Sequence, residues 1–108
     1  MPEVIIYSRP GCHLCDVVER IARRVQADLP FTLTRMNVDE SADLAARYGD
    51  RVPVVLIDQV ETFAGKVTEG EFRRAIQKAS RKGFFSRVLA SFRMFKKPVR
   101  QGRREPGD

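Results

Sequence analysis

The chain has 108 residues, of which 43% are hydrophobic and 31% charged, with a formal net charge of +6 at neutral pH. A chain of this length can form one domain with a real core, and its two cysteines are too few for a disulfide-rich secreted scaffold. No run approaches the roughly 18 apolar residues of a membrane span, and the first residues lack the basic start of a secretory signal. We therefore expect a cytoplasmic protein.

The basic excess lies at the carboxyl end of the chain. Residues 1–80 carry 11 Lys and Arg against 12 Asp and Glu, whereas residues 81–108 carry 9 against 2. This distribution predicts a near-neutral folded body, residues 1–80, followed by a basic extension.

The first half of the chain predicts a strand, a helix, a strand and a short helix. Val4–Tyr7 is an apolar run typical of a buried strand. Pro10-Gly11 then interrupts the chain, and Pro30 limits the helix that follows. That helix is indicated by apolar residues at helical spacing: Leu14, Val17, Val18, Ile21 and Val25.

Phe31–Val38 has the composition of a second strand, although its alternation is imperfect. Asp39-Glu40-Ser41 then indicates the start of a short helix that presents Leu44, Ala45 and Tyr48 on one face. We expect Gly49 to end this helix in the left-handed conformation.

The second half predicts two strands and a helix. Val54–Ile57 is another buried-strand run, and Asp58-Gln59 is a plausible turn into the strand Val60–Phe63. Thr68 and Glu71 form the S/T-x-x-E pattern of a capping box. The helix that follows has an apolar face formed by Phe72, Ala75, Ile76 and Ala79.

The predicted order is β-α-β-α-β-β-α, which is an α/β fold. The first strand–helix–strand unit implies a right-handed crossover and a parallel pair of strands. The last two strands are close enough in sequence to form a hairpin, so the four-stranded sheet would be mixed. Because the strand runs are apolar without alternation, helices must flank both faces of the sheet.

The motif that carries chemistry is Cys12-His13-Leu14-Cys15, between the first strand and the first helix. The reactive form of a cysteine is the thiolate, and the amino end of a helix favours an anion. Cys12 is therefore the candidate nucleophile, with Arg9 and His13 as nearby positive groups. Cys15 lies one turn further along the helix, where it would be more buried and could resolve a mixed disulfide.

Three alternatives stay open for the cysteines and the fold. A structural zinc ion takes about four ligands, and two cysteines and one histidine cannot supply them, so no metal site within one chain is expected. A metal or iron–sulfur carrier that shares the cysteines across a dimer is the main alternative. The others are two inert core cysteines and a binding module that uses the basic tail.

The stretch Tyr7–Cys15, which reads Tyr-Ser-Arg-Pro-Gly-Cys-His-Leu-Cys, resembles the active-site loop of the glutaredoxin branch of the thioredoxin-like superfamily. Asn37-Val38-Asp39 and Val52-Pro53 also match, and the resemblance extends over about residues 3 to 80. The loop is similar to that of small glutaredoxin-like proteins with a Gly-Cys-His-Leu-Cys sequence. The resemblance implies a thioredoxin/glutaredoxin-like fold and an oxidoreductase that reduces or exchanges disulfides of proteins or small molecules.

The same resemblance implies how a substrate is held. A cis peptide between Val52 and Pro53 would lie beside the two thiols, and the Val52 backbone would pair with a bound peptide or with glutathione. Arg9 matches a basic position that can meet a glutathione carboxylate. Gly65 lies in a stretch where typical glutaredoxins have a Gly-Gly pair and a nearby Asp, and here there is one Gly and no Asp. No resident cofactor is expected, and the electron donor, glutathione or a reductase, stays open.

The carboxyl-terminal residues form a separate prediction. Residues 81–97 have phenylalanines at helical spacing among Lys and Arg, which indicates a basic amphipathic helix. Packing on the domain or on a partner is the favoured role, ahead of weak contact with an anionic membrane or with nucleic acid. Residues 98–108 have the composition of a disordered tail.

Overall fold

The computed structural model of the chain describes the backbone of residues 1–93 and the side chains of residues 1–82. Its elements, in chain order, are strand β1 (Glu3–Ser8), helix α1 (His13–Gln26), strand β2 (Thr32–Asn37), a 3-10 turn (Val38–Glu40), helix α2 (Ala42–Tyr48), a second 3-10 turn (Gly49–Arg51), strand β3 (Val54–Ile57), strand β4 (Val60–Ala64) and helix α3 (Glu69–Arg93). The predicted element order is confirmed.

The four strands form one mixed sheet in the order β2-β1-β3-β4. β1 and β2 are parallel, whereas β3 is antiparallel to both β1 and β4. The parallel pair joined by α1 and the hairpin joined by Asp58-Gln59 are therefore as predicted. Both hairpin residues have positive φ, 51° and 69°, as a two-residue type I′ turn requires.

Alternate residues of β1 enter two hydrophobic clusters on opposite faces of the sheet. On one face, Ile6 packs with residues of α1 and α3 that include Ile21 and Phe72. On the other face, Tyr7 packs against a smaller cluster around Tyr48 of α2, and the Tyr7 and Tyr48 rings are stacked with centroids 4.4 Å apart. Helices thus cover both faces, as the apolar strands predict.

The expectation for Gly49 is wrong. Its φ is −55° and its ψ is −36°, so it is right-handed, and the chain continues into the second 3-10 turn. An added Cβ at this position would lie 2.8 Å from Nη2 of Arg9, so the end of that flexible side chain would have to shift. The left-handed glycines are Gly11, with φ of 78°, and Gly65, with φ of 89°.

Helix α3 continues from Glu69 to Arg93 without a break at residue 80. The predicted extension 81–97 therefore lies within the described backbone as far as Arg93. Its last residues, and the predicted disordered tail 98–108, lie outside the described residues. Among the described residues, no helix is long and apolar enough to cross a membrane.

We expect Phe72→Ala to lower the free energy of unfolding by about 3 to 5 kcal/mol, because it leaves a cavity where a fully buried ring joins α3 to the sheet. Val60→Ala is the control, since Val60 is 65% exposed and its truncation should cost less than about 0.5 kcal/mol. Urea denaturation followed by circular dichroism measures both. Equal losses in the two variants would contradict this view of the core.

Candidate active site

The segments that the sequence analysis identifies as candidates for the functional site lie at the same edge of the sheet. Ser8 at the end of β1 pairs with Asn37 at the end of β2, and Tyr7 pairs with Val54 at the start of β3. Val54 also pairs with Ala64 at the end of β4. The segments adjoining these strand ends therefore leave the sheet at the same edge: Arg9–Cys12, Val38–Glu40, Val52-Pro53 and Gly65.

Cys12 is the N-cap residue of α1. Its Sγ accepts a hydrogen bond from the backbone N–H of Cys15, with a distance of 3.1 Å, and its own N–H donates to the carbonyl of Arg9 at 3.3 Å. Gly11, in the left-handed conformation, turns the chain from β1 into this cap. The sulfur thus lies where helix amides and the helix dipole favour a negative charge.

The two cysteines differ in exposure. Cys15 has 0% exposed surface, whereas Cys12 is half-buried. They are joined by a disulfide, with their Cα atoms 5.2 Å apart, which is within the usual range for such a bond. Cys15 is therefore the more buried of the two cysteines, as predicted, and the roles of nucleophile and resolving thiol stay predictions.

Val52, Pro53 and Gly65 come together at the neighbouring strand ends. The Val52-Pro53 peptide is cis, as the resemblance implies, and Pro53 is fully buried. The Pro53 carbonyl accepts a hydrogen bond from the Gly65 N–H at 2.7 Å. The backbone of Val52 lies just before β3, at the edge that also carries Cys12.

Arg9 and His13 lie on either side of the turn that carries Cys12. His13 is exposed at the first position of α1. Arg9 is directed toward other parts of the chain: its Nε donates to Asp39 at 3.0 Å and its Nη1 donates to the carbonyl of Gly49 at 3.0 Å. That either residue contacts a substrate stays a prediction.

Sequence reasoning missed a polar network centred on Arg35 of β2. Its Nη1 donates to Asp16 at 2.9 Å and to Glu19 at 2.6 Å, both on α1. Its Nε donates to the hydroxyl of the buried Ser8 at 2.9 Å. The signal in the sequence was the i, i+3 spacing of Asp16 and Glu19, but only the β1–α1–β2 crossover brings a cation beside them.

An open groove of about 500 Å³ borders the loop before Cys12 and runs along β2. Its lining residues are Ser8, Arg9, Pro10, Thr34, Arg35, Met36, Asn37 and Glu40. In the part of the chain that the structure describes, no three His, Cys, Asp or Glu side chains are grouped so that they could hold a metal ion.

The fold and the disulfide define a protein of the thioredoxin-like class. A protein of Nitrosomonas europaea with a solved structure is 27% identical, with a TM-score of 0.61, and the match covers 69% of this chain and 91% of that one. A mutant thioredoxin from Halobacterium salinarum is 22% identical, with a TM-score of 0.57 and coverage of 72% and 74%. At that identity the second likeness concerns the fold alone.

The model of a family described as "Glutaredoxin-like domain (DUF836)" matches residues 3–77. An uncharacterized protein of Mycobacterium tuberculosis is 32% identical over 84 residues, which are 73% of this chain and 87% of that protein. The chain therefore belongs to the glutaredoxin-like domain family.

The Arg35 network generates a prediction about pH. The hydrogen bond that Arg35 donates to the Glu19 carboxylate holds the pKa of Glu19 below its ordinary value. Burial of the carboxylate opposes this shift, and a hydrogen bond from Arg23 adds to it. Because the pKa is lower in the folded chain, this stabilisation is present above about pH 4.3 and is lost as the pH falls through the folded pKa.

Glu19→Gln should therefore lower the free energy of unfolding by about 0.5 kcal/mol at pH 7, a small value because solvent screens these bonds, and by less at pH 3. Glu40→Gln is the control, since the exposed Glu40 forms no ion pair within residues 1–82. Urea titrations at the two pH values measure the difference. A Glu19→Gln effect independent of pH would contradict the role assigned to the Arg35 network.

Proposed function

We propose that the protein is a dithiol thiol–disulfide oxidoreductase, with Cys12 as the nucleophile and Cys15 as the resolving thiol. The observation that carries this proposal is the asymmetry of the pair. Cys12 is half-buried and its sulfur accepts a hydrogen bond at the amino end of α1, whereas Cys15 is fully buried one turn further along. Membership of the glutaredoxin-like domain family supports it.

The amino end of α1 favours the thiolate of the reduced chain. The Cys15 N–H points at the Cys12 sulfur, and a hydrogen bond to an anion is stronger than one to a neutral thiol. The helix dipole adds to this preference. Both effects favour the thiolate over the thiol.

The reaction consists of two thiol–disulfide exchanges. The Cys12 thiolate attacks one sulfur of the substrate disulfide, forms a mixed disulfide and releases the other sulfur as a thiolate. Cys15 then loses its proton and attacks the Cys12 sulfur, so the second substrate thiolate leaves. Two electrons pass to the substrate, its two sulfurs take up protons, and the chain is left with the Cys12–Cys15 disulfide.

Return to the dithiol form needs a thiol reductant, either glutathione or the dithiol of a reductase. The same exchanges run backwards oxidise a substrate dithiol, and the direction depends on reduction potentials. We place the activity in the cytoplasm, in electron transport and redox homeostasis. Val52 would hold the substrate backbone beside Cys12, and its position just before β3, at the edge of the sheet that also carries Cys12, supports this role.

Cys12→Ser should lower the rate of insulin reduction to that of dithiothreitol alone, because the remaining thiol, Cys15, is fully buried. Cys15→Ser should instead accumulate a mixed disulfide between Cys12 and the substrate, since the resolving thiol is missing. Turnover assays and intact-mass spectrometry measure the two results, with circular dichroism to confirm folding. Normal turnover by Cys12→Ser would refute the proposed function.

The pKa of Cys12 can be measured in the Cys15→Ser variant from the rate of alkylation by iodoacetamide as a function of pH. We expect the midpoint in the folded chain to lie below about 8.5. The same variant in concentrated guanidinium is the matched control, because unfolding removes the helix and leaves the sequence unchanged. Equal midpoints in the two states would show that α1 does not activate the sulfur.

A further inference from the structure

We propose, on the basis of the proposed function, that the substrate is a disulfide within a polypeptide rather than a glutathione disulfide, and that Asp39 sets this preference by occupying Arg9. Among the Lys and Arg residues, Arg9 is the one nearest in sequence to the nucleophile. A free guanidinium there would hold the carboxylate of a small ligand through two parallel hydrogen bonds. In this chain two nitrogens of the guanidinium, Nε and Nη1, already donate hydrogen bonds to other residues of the chain.

The Arg9 guanidinium is held by the segment Val38–Glu40 and by the end of α2. Its Nε is 3.0 Å from Oδ1 of Asp39, and its Nη1 is 3.0 Å from the carbonyl oxygen of Gly49. Its Nη2 lies against Gly49, where an added Cβ would be only 2.8 Å away. Two of the three nitrogens, Nε and Nη1, thus have partners within the chain, and the Asp39 carboxylate would repel a second anion.

The amino end of α3, after Gly65 at the same sheet edge, is also occupied. The Thr68 N–H donates to the carboxylate of Glu71 at 2.9 Å, and the Glu71 N–H donates to the Thr68 hydroxyl at 3.1 Å. These hydrogen bonds hold the pKa of Glu71 below the ordinary value, so the group is a carboxylate at neutral pH. A ligand carboxylate would find the helix end capped by another anion.

Glutathione is a tripeptide with two free carboxylates, so its binding depends on cations that can take them. At this edge Lys66 is exposed and forms no ion pair within residues 1–82, but one ammonium lacks the paired donors of a guanidinium. A disulfide in the middle of a polypeptide has no terminal carboxylates near it. The backbone of such a polypeptide needs only uncharged hydrogen-bond partners. The lack of a free guanidinium therefore weakens the binding of glutathione and does not weaken the binding of a protein disulfide.

The test compares two ligands that differ only in their carboxylates: oxidised glutathione and its tetraethyl ester. The full chain is reduced, freed of reductant and mixed with each disulfide in excess. Second-order rate constants are measured from the loss of free Cys12 thiol. We expect the wild-type chain to react no faster with oxidised glutathione than with the ester.

Asp39→Asn should raise the ratio of the acid rate to the ester rate by about two- to five-fold, the effect of losing one exposed ion-pair partner. Asp43→Asn is the matched control, since it makes the same charge change at an α2 carboxylate paired with Arg47, and its ratio should not change. In the double variant Arg9→Gln/Asp39→Asn the gain should disappear. Asp39→Ser provides a second test of the same carboxylate if the amide disturbs folding.

A faster reaction with oxidised glutathione than with its ester in the wild-type chain would overturn the inference and leave the proposed function intact. So would equal ratios in Asp39→Asn and Asp43→Asn, or a gain that survives removal of Arg9. A reduced chain that reacts with neither disulfide would instead refute the proposed function itself.

Discussion

The hydrogen bond from the Cys15 N–H to the Cys12 sulfur depends on how the chain enters α1. The turn at Gly11 takes the backbone out of β1 in a left-handed conformation, and Cys12 then caps the helix with extended dihedral angles. α1 can supply its amide only because its apolar face packs on the sheet and fixes its direction. The chemistry of one sulfur therefore rests on the packing of the whole β1–α1 unit, since a mobile helix end would not present a fixed donor.

The charges around this sulfur are largely balanced within the chain. Arg9 is paired with Asp39, Arg35 forms ion pairs with both Asp16 and Glu19 on the first turns of α1, and Arg23 forms a second ion pair with Glu19. The ion pairs of Arg9 and Arg35 join the loop before Cys12 and the start of α1 to segments that are distant in sequence.

Much of the architecture could be predicted from the spacing of apolar residues and from the positions of turn-forming residues. The apolar runs Val4–Tyr7 and Val54–Ile57 lie in strands of the mixed sheet, and the turn at Asp58-Gln59 closes the expected hairpin. These features are local, because they depend on burial patterns and on turn chemistry within a few residues. The expectation for Gly49 failed because the chain continues from α2 into the second 3-10 turn in a right-handed conformation. A glycine at such a junction looks the same in sequence as one that ends a helix in the left-handed conformation.

By itself, the sequence determined the class of fold and identified Cys12 and Cys15 as the candidate reactive pair. Helix spacing, strand composition and the position of Cys12 before α1 are local features that can be recognised within short stretches of the chain. The tertiary structure alone decided the partners of Arg9 and Arg35 and the hydrogen bond from the Gly65 N–H to the Pro53 carbonyl. The reason is that these contacts join residues from different elements. Their distances depend on how the sheet orders its strands, and hydrophobic periodicity carries no information about which charged side chains will meet at its edge.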